Sequence, residues 1–428
     1  MPKTQGFSPE SLISQFTRCD AGWCVRYHDV TLASAFQPVI SITHKRVVGY
    51  EALARATDAN GAPISPDTLF ARAQARGETI LLDRLTRCLH VANFAAQDTG
   101  ACWLFLNVLP QMFDAGIAPG AFIEALCAHF ALPPTRVVLE VIEQPSRNEV
   151  ALARTIDMIQ HGDFLIAVDD FGTGFSNFDR IWQIKPDIVK LDRSILERSL
   201  AASDAHRIIH HLVTMLHHAG TMVLAEGVEN EDALQILMDA DVDFVQGFCF
   251  GRPAPSLEHA RRAAPARIEA AWRRFAERTK ARCGDVVHPG FDTIERIMLT
   301  GAADYAQTRN LRDAAQRLLL TSPIVRRVFV AEANGEQVEP SVAIETPDAP
   351  SATARRLAPL LPELHCNWSR RAYFQRAIAA PGRVALMGPH FSLTDGRDCY
   401  TAAVAIHLGT TLKVFCVDFD FSSYGDGR

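Results

Sequence analysis

At 428 residues the chain has room for two or three domains on the usual scale of roughly 100–200 residues each. Its 48% apolar and 21% charged residues are ordinary for a soluble globular protein, and a net charge of −6 gives no electrostatic footing for a nucleic acid polymer. Ten scattered cysteines, with no C-x-x-C pair, exclude a disulfide framework and a structural zinc site and point to reduced thiols. The first residues lack the apolar core of a signal peptide, and no run approaches the roughly 18–20 apolar residues of a membrane helix. The expected setting is the cytoplasm, with no membrane partner.

In chain order, residues 1–34 read as an N-terminal extension packed as an arm on the next domain. Apolar strands follow at 36–42 (FQPVISI) and 47–53 (VVGYEAL). The link between them, THKR, is too short for a parallel crossover, so the two are antiparallel. Helical patterns at 65–76, capped by Ser65 with Pro66 at the first position, and at 80–97 lead to WLFLNV (103–108). A helix near 119–130 precedes VVLEV (137–141), and one near 148–161 precedes FLIAVDD (164–170). A short segment, 176–184, leads to IVKLD (188–192); a long helix, 194–218, to TMVLAEGV (221–228); and a helix at 231–239 to FVQGFCF (244–250).

Strands alternating with helices imply a parallel sheet covered on its faces. Eight of them within residues 35–256 predict an α/β fold of the TIM-like (β/α)8 type, with the first strand running against the rest. Polar residues in these strands gather at the carboxyl ends: Glu51, Asn107, Glu140, Asp169, Asp170, Lys190, Glu226 and Gln246. In a barrel those ends form one rim, where active sites sit. Acids and one amide, with no cysteine or histidine among them, select a hard divalent cation such as Mg²⁺ or Mn²⁺. Two such ions clamp a phosphoester and activate a water, and Lys190 either handles that water or offsets charge. The constellation argues for metal-assisted hydrolysis of a phosphate ester. No P-loop or G-x-S-x-G elbow is present. His206, His210 and His217 read as a surface or dimer-face cluster, because no acid triplet accompanies their spacing.

At these residues the chain closely resembles the EAL-domain family of cyclic di-GMP phosphodiesterases. The resemblance runs through Glu51-Ala52-Leu53, LN at 106–107, LEVIE at 139–143, DDFGTG at 169–174, K-x-D at 190–192, AEGVE at 225–229 and QG at 246–247. It implies hydrolysis of cyclic di-GMP to linear pGpG by a homodimer carrying two Mg²⁺ or Mn²⁺ ions per site. It also implies that Glu51, Asn107, Glu140 and Asp169 hold one metal, and that Asp169, Asp170 and Glu226 hold the second. Lys190 resembles the residue that contacts the nucleophilic water. Gln37, Leu53, Arg55 and Gln246 resemble substrate contacts, with Arg55 suited to a phosphate. Glu143 resembles the acid that holds the loop at 171–177, and Asp192 and Glu229 match motif acids. Ile142 stands where the family commonly has threonine, which bears on loop anchoring. Some members of the family are silent receptors; here every metal-ligand position is filled, which favours activity.

Residues 257–283 read as a basic connector helix whose Ile268, Trp272 and Phe275 pack inward and whose arginines face solvent. Residues 284–428 read as a smaller α+β domain with an antiparallel sheet and an Asn334-Gly335 hairpin turn. The stretch WSRRAYFQRAIAAPGRVALMGPHFSLTDGRDCYTAAVAI resembles PAS-like sensory domains of the Cache type. That resemblance implies either a small cytosolic ligand or a pure dimerisation or packing role. The stretch 346–354 reads as a loop.

Overall fold

A computed structural model describes residues 7–20, 22–97, 100–109, 119–142, 156–157, 159, 161–172, 178–201, 205–279, 291–343, 356–394 and 398–420. Strands β1 (Thr17–Cys19), β2 (Gly22–Tyr27), β3 (Val30–Ser41), β4 (Arg46–Thr57), β5 (Pro63–Ile64), β6 (Trp103–Val108), β7 (Val137–Ile142), β8 (Leu165–Phe171), β9 (Ile188–Leu191), β10 (Met222–Ala225) and β11 (Phe244–Val245) form one sheet. Its order is β1-β2-β3-β11-β10-β9-β8-β7-β6-β4-β5, and a further β3–β4 pairing closes eight of these strands into a barrel. β3 is antiparallel to both its neighbours, β4 and β11, as the short THKR link requires.

The near-continuous apolar strands follow from burial on two faces. In β8, Leu165 and Ala167 belong to the cluster inside the barrel, while Ile166 and Val168 pack outward under the helices. The same alternation holds in β7 and β10.

Several boundaries differ from expectation. The N-terminal stretch is more than an arm: β1 and β2 add to the barrel's first strand, which starts at Val30. The turn at His28, with φ 55°, joins β2 to β3, and Asn93 holds the backbone of Trp23 through Nδ2 at 2.8 Å and Oδ1 at 2.7 Å. The expected helix at 194–218 is two helices, Arg193–Ala201 and Ala205–His218. His217 is not a surface residue: it is mostly buried and its Nε2 lies 2.8 Å from Asp243 Oδ2. The last barrel strand is only Phe244–Val245; beyond it the chain turns, Phe250 N–H donating to the Gly247 carbonyl at 3.1 Å, with Gly247 packed against Val228.

The basic stretch clads the barrel. Ile268, Trp272 and Phe275 of the helix Ala264–Thr279 enter the outer core, and Trp272 Nε1 donates to the Ile42 carbonyl at 2.9 Å. Two of its exposed arginines pair with the helix Glu231–Asp239, Arg274 with Asp232 at 2.6 Å and Arg278 with Asp239.

Strands β12 (Val325–Glu332), β13 (Val342–Ala343), β14 (Val384–Phe391), β15 (Asp398–Leu408) and β16 (Thr411–Phe419) form a second, antiparallel sheet in the order β13-β12-β16-β15-β14. The helices Phe291–Thr308 and Leu311–Thr321 cover one face. Trp368 and the helix Ala372–Ala379 cover the other. Asn334-Gly335 makes the expected tight turn, with Gly335 at φ 88°.

The segment between β13 and β14 and the residues just after β14 also floor the barrel. Leu357, Leu360 and Leu393 share one buried cluster with Trp103, Leu165 and Met222 at the starts of parallel strands and Val39 near the end of antiparallel β3. Arg356 Nη2 donates to the Phe164 carbonyl at 2.6 Å and to Asp187 Oδ2 at 2.7 Å, and its own carbonyl accepts Trp103 Nε1 at 2.8 Å. Arg371 Nη1 donates to Asp241 Oδ2 at 2.6 Å. Leu360 is fully buried here. Leu360→Ala is expected to destabilise the full chain by about 2–5 kcal/mol, read as a lower midpoint in chemical denaturation with unchanged far-ultraviolet circular dichroism.

Candidate active site

The inside-outside alternation decides which strand-end residues meet. Counting from the inner residues Phe105, Val138, Ala167, Ile188, Leu224 and Phe244, two positions on are Asn107, Glu140, Asp169, Lys190, Glu226 and Gln246. Gln37 and Glu51 join them as a cross-strand pair on β3 and β4. The polar residues are thus the top layer of the same bore that is apolar below.

Asp170 is out of phase, and strict alternation would send it under the helices. The β8–β9 register shifts between Val168 and Phe171, and Asp170 adopts φ 58° while its backbone N–H donates to Asp169 Oδ1 at 3.0 Å. The bulge keeps both carboxylates at the mouth. Oxygens of Asp169, Asp170 and Glu226 all lie within 4.8 Å of one another.

Lys190 stands at the centre, 1% exposed. Its Nζ lies 2.6 Å from Glu140, 2.7 Å from Glu226, 3.0 Å from Asp169 and 4.0 Å from Glu51. Burial alone would lower its pKa, but Asp169, Glu140, Glu226 and Glu51 together hold it well above the usual lysine value. Burial pushes Glu140 well up, with Glu51 and Asp169 adding to the effect against Lys190. Burial likewise pushes Glu226 to about 7, and Asp170 is raised by burial and by Asp169. Gln246 Nε2 donates to Glu51 Oε2 at 2.6 Å and to Gln37 Oε1 at 3.2 Å, and Asn107 Nδ2 donates to Glu51 Oε1 at 3.3 Å.

These residues fit a hard cation. Glu140 Oε2 and Gln246 Oε1 are buried with no hydrogen-bond partner among the described residues, a costly state that a cation or ligand would relieve. The donors are all oxygens, as Mg²⁺ and Mn²⁺ prefer. Five carboxylates facing one ammonium leave an excess of four negative charges, which two divalent ions offset.

A cleft of about 240 Å³ opens above this layer, lined by Gln37, Glu51, Leu53, Asp169, Lys190, Arg193, Glu226, Gly227, Glu229, Gln246, Gly247 and Phe248. The AEGVE and QG segments reach it as a bonded pair: Val228 N–H donates to the Gln246 carbonyl at 3.0 Å and Cys249 N–H to the Val228 carbonyl at 3.0 Å. A Cβ at Gly247 would lie 2.2 Å from the Val228 carbonyl oxygen, which is why that position is glycine. Arg55, expected at a phosphate, is exposed, donates Nη1 to the Ala54 carbonyl at 2.9 Å and is not on the cleft wall. Asp192 lies behind the site, its Oδ1 accepting Ser194 N–H at 2.9 Å. Glu229 reaches the rim and accepts Arg193 Nη1 at 2.5 Å. Glu143, most of the loop at 171–177 and the side chain of Ile142 lie outside the described residues. Arg193 and Phe248 were not expected at the cleft; each directly follows a motif, K-x-D and QG respectively.

Residues 26–253 match the family model described as EAL domain. A probable cyclic di-GMP phosphodiesterase, PdeG of Escherichia coli (strain K12), is 29% identical over 235 residues, covering 52% of this chain and 45% of its own. The cyclic di-GMP phosphodiesterase PdeF of the same organism is 26% identical over 227 residues, covering 52% of this chain and 30% of its own. The chain therefore spans less than half the length of these curated relatives. Among solved structures, the Bacillus subtilis YkuI protein, with an EAL domain and in complex with substrate c-di-GMP and calcium, matches at a TM-score of 0.51 and 18% identity. That likeness covers 97% of this chain and 100% of YkuI, so it extends over the second sheet as well as the barrel, as a likeness of fold.

The raised carboxylates carry a pH dependence. Between the usual value of 4.5 and about 7, the folded, metal-free chain keeps a proton on Glu226 that the unfolded chain has lost. Its contribution to stability therefore falls as pH rises through that window, and a cation must displace the proton to bind. The gain in thermal midpoint on adding Mn²⁺ is expected to be larger at about pH 8 than at about pH 5.5, with proton release at about pH 6 seen by calorimetry in buffers of different ionisation enthalpy.

Proposed function

The chain belongs to the EAL domain family, and we propose that it is a phosphodiesterase that hydrolyses cyclic di-GMP to linear pGpG with two Mg²⁺ or Mn²⁺ ions. The observation that carries this reading is the mouth of Glu51, Glu140, Asp169, Asp170 and Glu226 around Lys190, whose excess negative charge matches two divalent ions. Glu51, Asn107, Glu140 and Asp169 would hold one ion, and Asp169, Asp170 and Glu226 the other. When bound, such a pair supplies an activated water and offsets charge on the phosphoryl oxygens.

The chain's own residues then have distinct tasks. Lys190, fixed by four carboxylates, stays protonated, so it orients the attacking water as a donor and does not act as its base. Gln246 clamps Glu51 from one side and Asn107 from the other, which holds its carboxylate in one orientation. Gln37, Leu53 and Gln246 line the cleft and contact the substrate. The assignment of a phosphate to Arg55 rests on the family resemblance alone, as do the loop-holding role of Glu143 and the effect of Ile142.

Residues 284–428 serve as a PAS-like regulatory domain of the Cache type, with a small ligand or a packing role. The five-stranded antiparallel sheet and its helices support that reading. A homodimer is supported by two apolar side chains 67% exposed, Trp182 on Phe178–Ile184 and Ile208 on Ala205–His218. No helix among the described residues is long and apolar enough to cross a membrane, in keeping with a cytoplasmic setting.

Incubating the full chain with cyclic di-GMP and Mn²⁺ or Mg²⁺ is expected to yield pGpG on chromatography. Glu51→Ala is expected to lower kcat by on the order of 10²–10³ or more, the loss of several kcal/mol of charge stabilisation. Binding without turnover under either ion would instead identify a silent receptor.

A further inference from the structure

The cleft wall is acidic. Glu51, Asp169, Glu226 and Glu229 face it, against two cations, Lys190 and Arg193. Lys190 is buried with four carboxylates within 4.0 Å at the floor of the cleft, so it is not placed to grip a phosphate away from the acid layer. Arg193 differs in every respect. Its side chain is 51% exposed. Nε donates to Glu197 Oε1 at 2.5 Å and Nη1 to Glu229 Oε1 at 2.5 Å, while Nη2 has no protein partner among the described residues.

The local backbone is shaped to seat this side chain. Gly227 has φ 65°, and an added Cβ there would lie 2.7 Å from both Cβ and Cγ of Arg193. The glycine therefore leaves room for the arginine stem to run along the cleft wall, and the two acids steady its fork. Arg193 follows β9, which is four strands from β4 around the eight-stranded circuit. It thus stands across the mouth from Glu51 and Leu53.

Cyclic di-GMP carries two phosphodiesters. On the reading proposed above, one lies over the carboxylates and their ions, and the second must be held in a cleft whose other exposed charges repel it. We infer that Arg193 binds the phosphodiester that is not cleaved, exchanging part of its contact with Glu229 for phosphate oxygens. A guanidinium fork suits that task because it pairs two N–H donors with two phosphate oxygens, and Glu197 keeps hold of Nε meanwhile. This inference rests on the phosphodiesterase reading for the identity of the ligand, but it concerns binding rather than the chemical step.

The test uses the full chain with Arg193→Met and Arg193→Lys. Binding of cyclic di-GMP in Ca²⁺ is measured by calorimetry, and KM and kcat in Mn²⁺. Arg193→Met is expected to raise Kd and KM about tenfold, the worth of one charged hydrogen-bond pair, with Arg193→Lys in between. The same variant should leave kcat within about twofold and flatten the rise of KM with salt, since a rim charge acts on encounter and ground-state binding. Mn²⁺-induced thermal stabilisation should match the wild type. Unchanged Kd and KM in Arg193→Met would overturn the inference, as would a fall in kcat and Mn²⁺ stabilisation at constant KM, the mark of a structural role. If the methionine variant does not fold, the lysine variant decides by the same readouts. Wild-type binding without turnover would remove the catalytic reading while the Kd comparison still judged Arg193; neither binding nor turnover in the wild type would remove both.

Discussion

One buried ammonium surrounded by carboxylates governs this molecule. Lys190 draws Glu140, Glu226 and Asp169 to within 3.0 Å, and it can neutralise only one of them. Charges of one sign cannot be crowded in a low-dielectric pocket without protons or counter-ions. Without a cation, burial and the crowding of like charges push Glu140 well above the usual carboxylate range and Glu226 to about 7. Every other feature of the mouth serves to keep that crowd in place: the bulge that turns Asp170 inward, the amides that fix Glu51, and the glycine contact that locks the Gln246 segment onto the Glu226 segment.

The barrel resolves the opposite requirements of its two ends with one strand pattern. The inner faces of the parallel strands start apolar and finish polar, and antiparallel β3 runs the reverse course from Gln37 to Val39, so the bore passes from leucine and tryptophan to acid within a few residues. The polar end opens to a cleft. The apolar end is closed by Leu357, Leu360 and Leu393, which belong to the chain beyond the barrel. Arg356, next to Leu357, and Arg371 further along take their partners from residues just ahead of barrel strands, Asp187 and Asp241.

Much of this was legible in the sequence. Strand order, the antiparallel first strand and the rim residues all follow from period-two apolar runs, one short link and the position of polar residues within each run. Other features were hidden for physical reasons. Asp170 was legible at the rim from its place at a strand end, but the left-handed backbone that keeps it there is not something alternation predicts. β1 and β2 contain alternating residues, but their pairing is set by a turn at His28 and a side chain, Asn93, some seventy positions away. The floor of the barrel comes from two separate stretches whose leucines have no period of their own, because the surface they cover is assembled from many strands. Arg193 on the cleft wall was not legible because it lies just past the K-x-D motif, beyond the strand whose alternation marks the rim.

The closed floor limits how the chain can be dissected. A fragment ending after the helix Ala264–Thr279 would open the bore at its apolar end and leave Trp103 Nε1 and the Phe164 carbonyl without the partners that Arg356 supplies. Loss of activity in such a fragment would report a leaking barrel, not the removal of a regulator. The same holds for grafting this barrel onto a foreign sensor: the graft must bring its own stopper. Asp187, gripped from below by Arg356, is three residues from Lys190, roughly 10 Å along a strand. The stopper and the acid layer are therefore two ends of the same short rods.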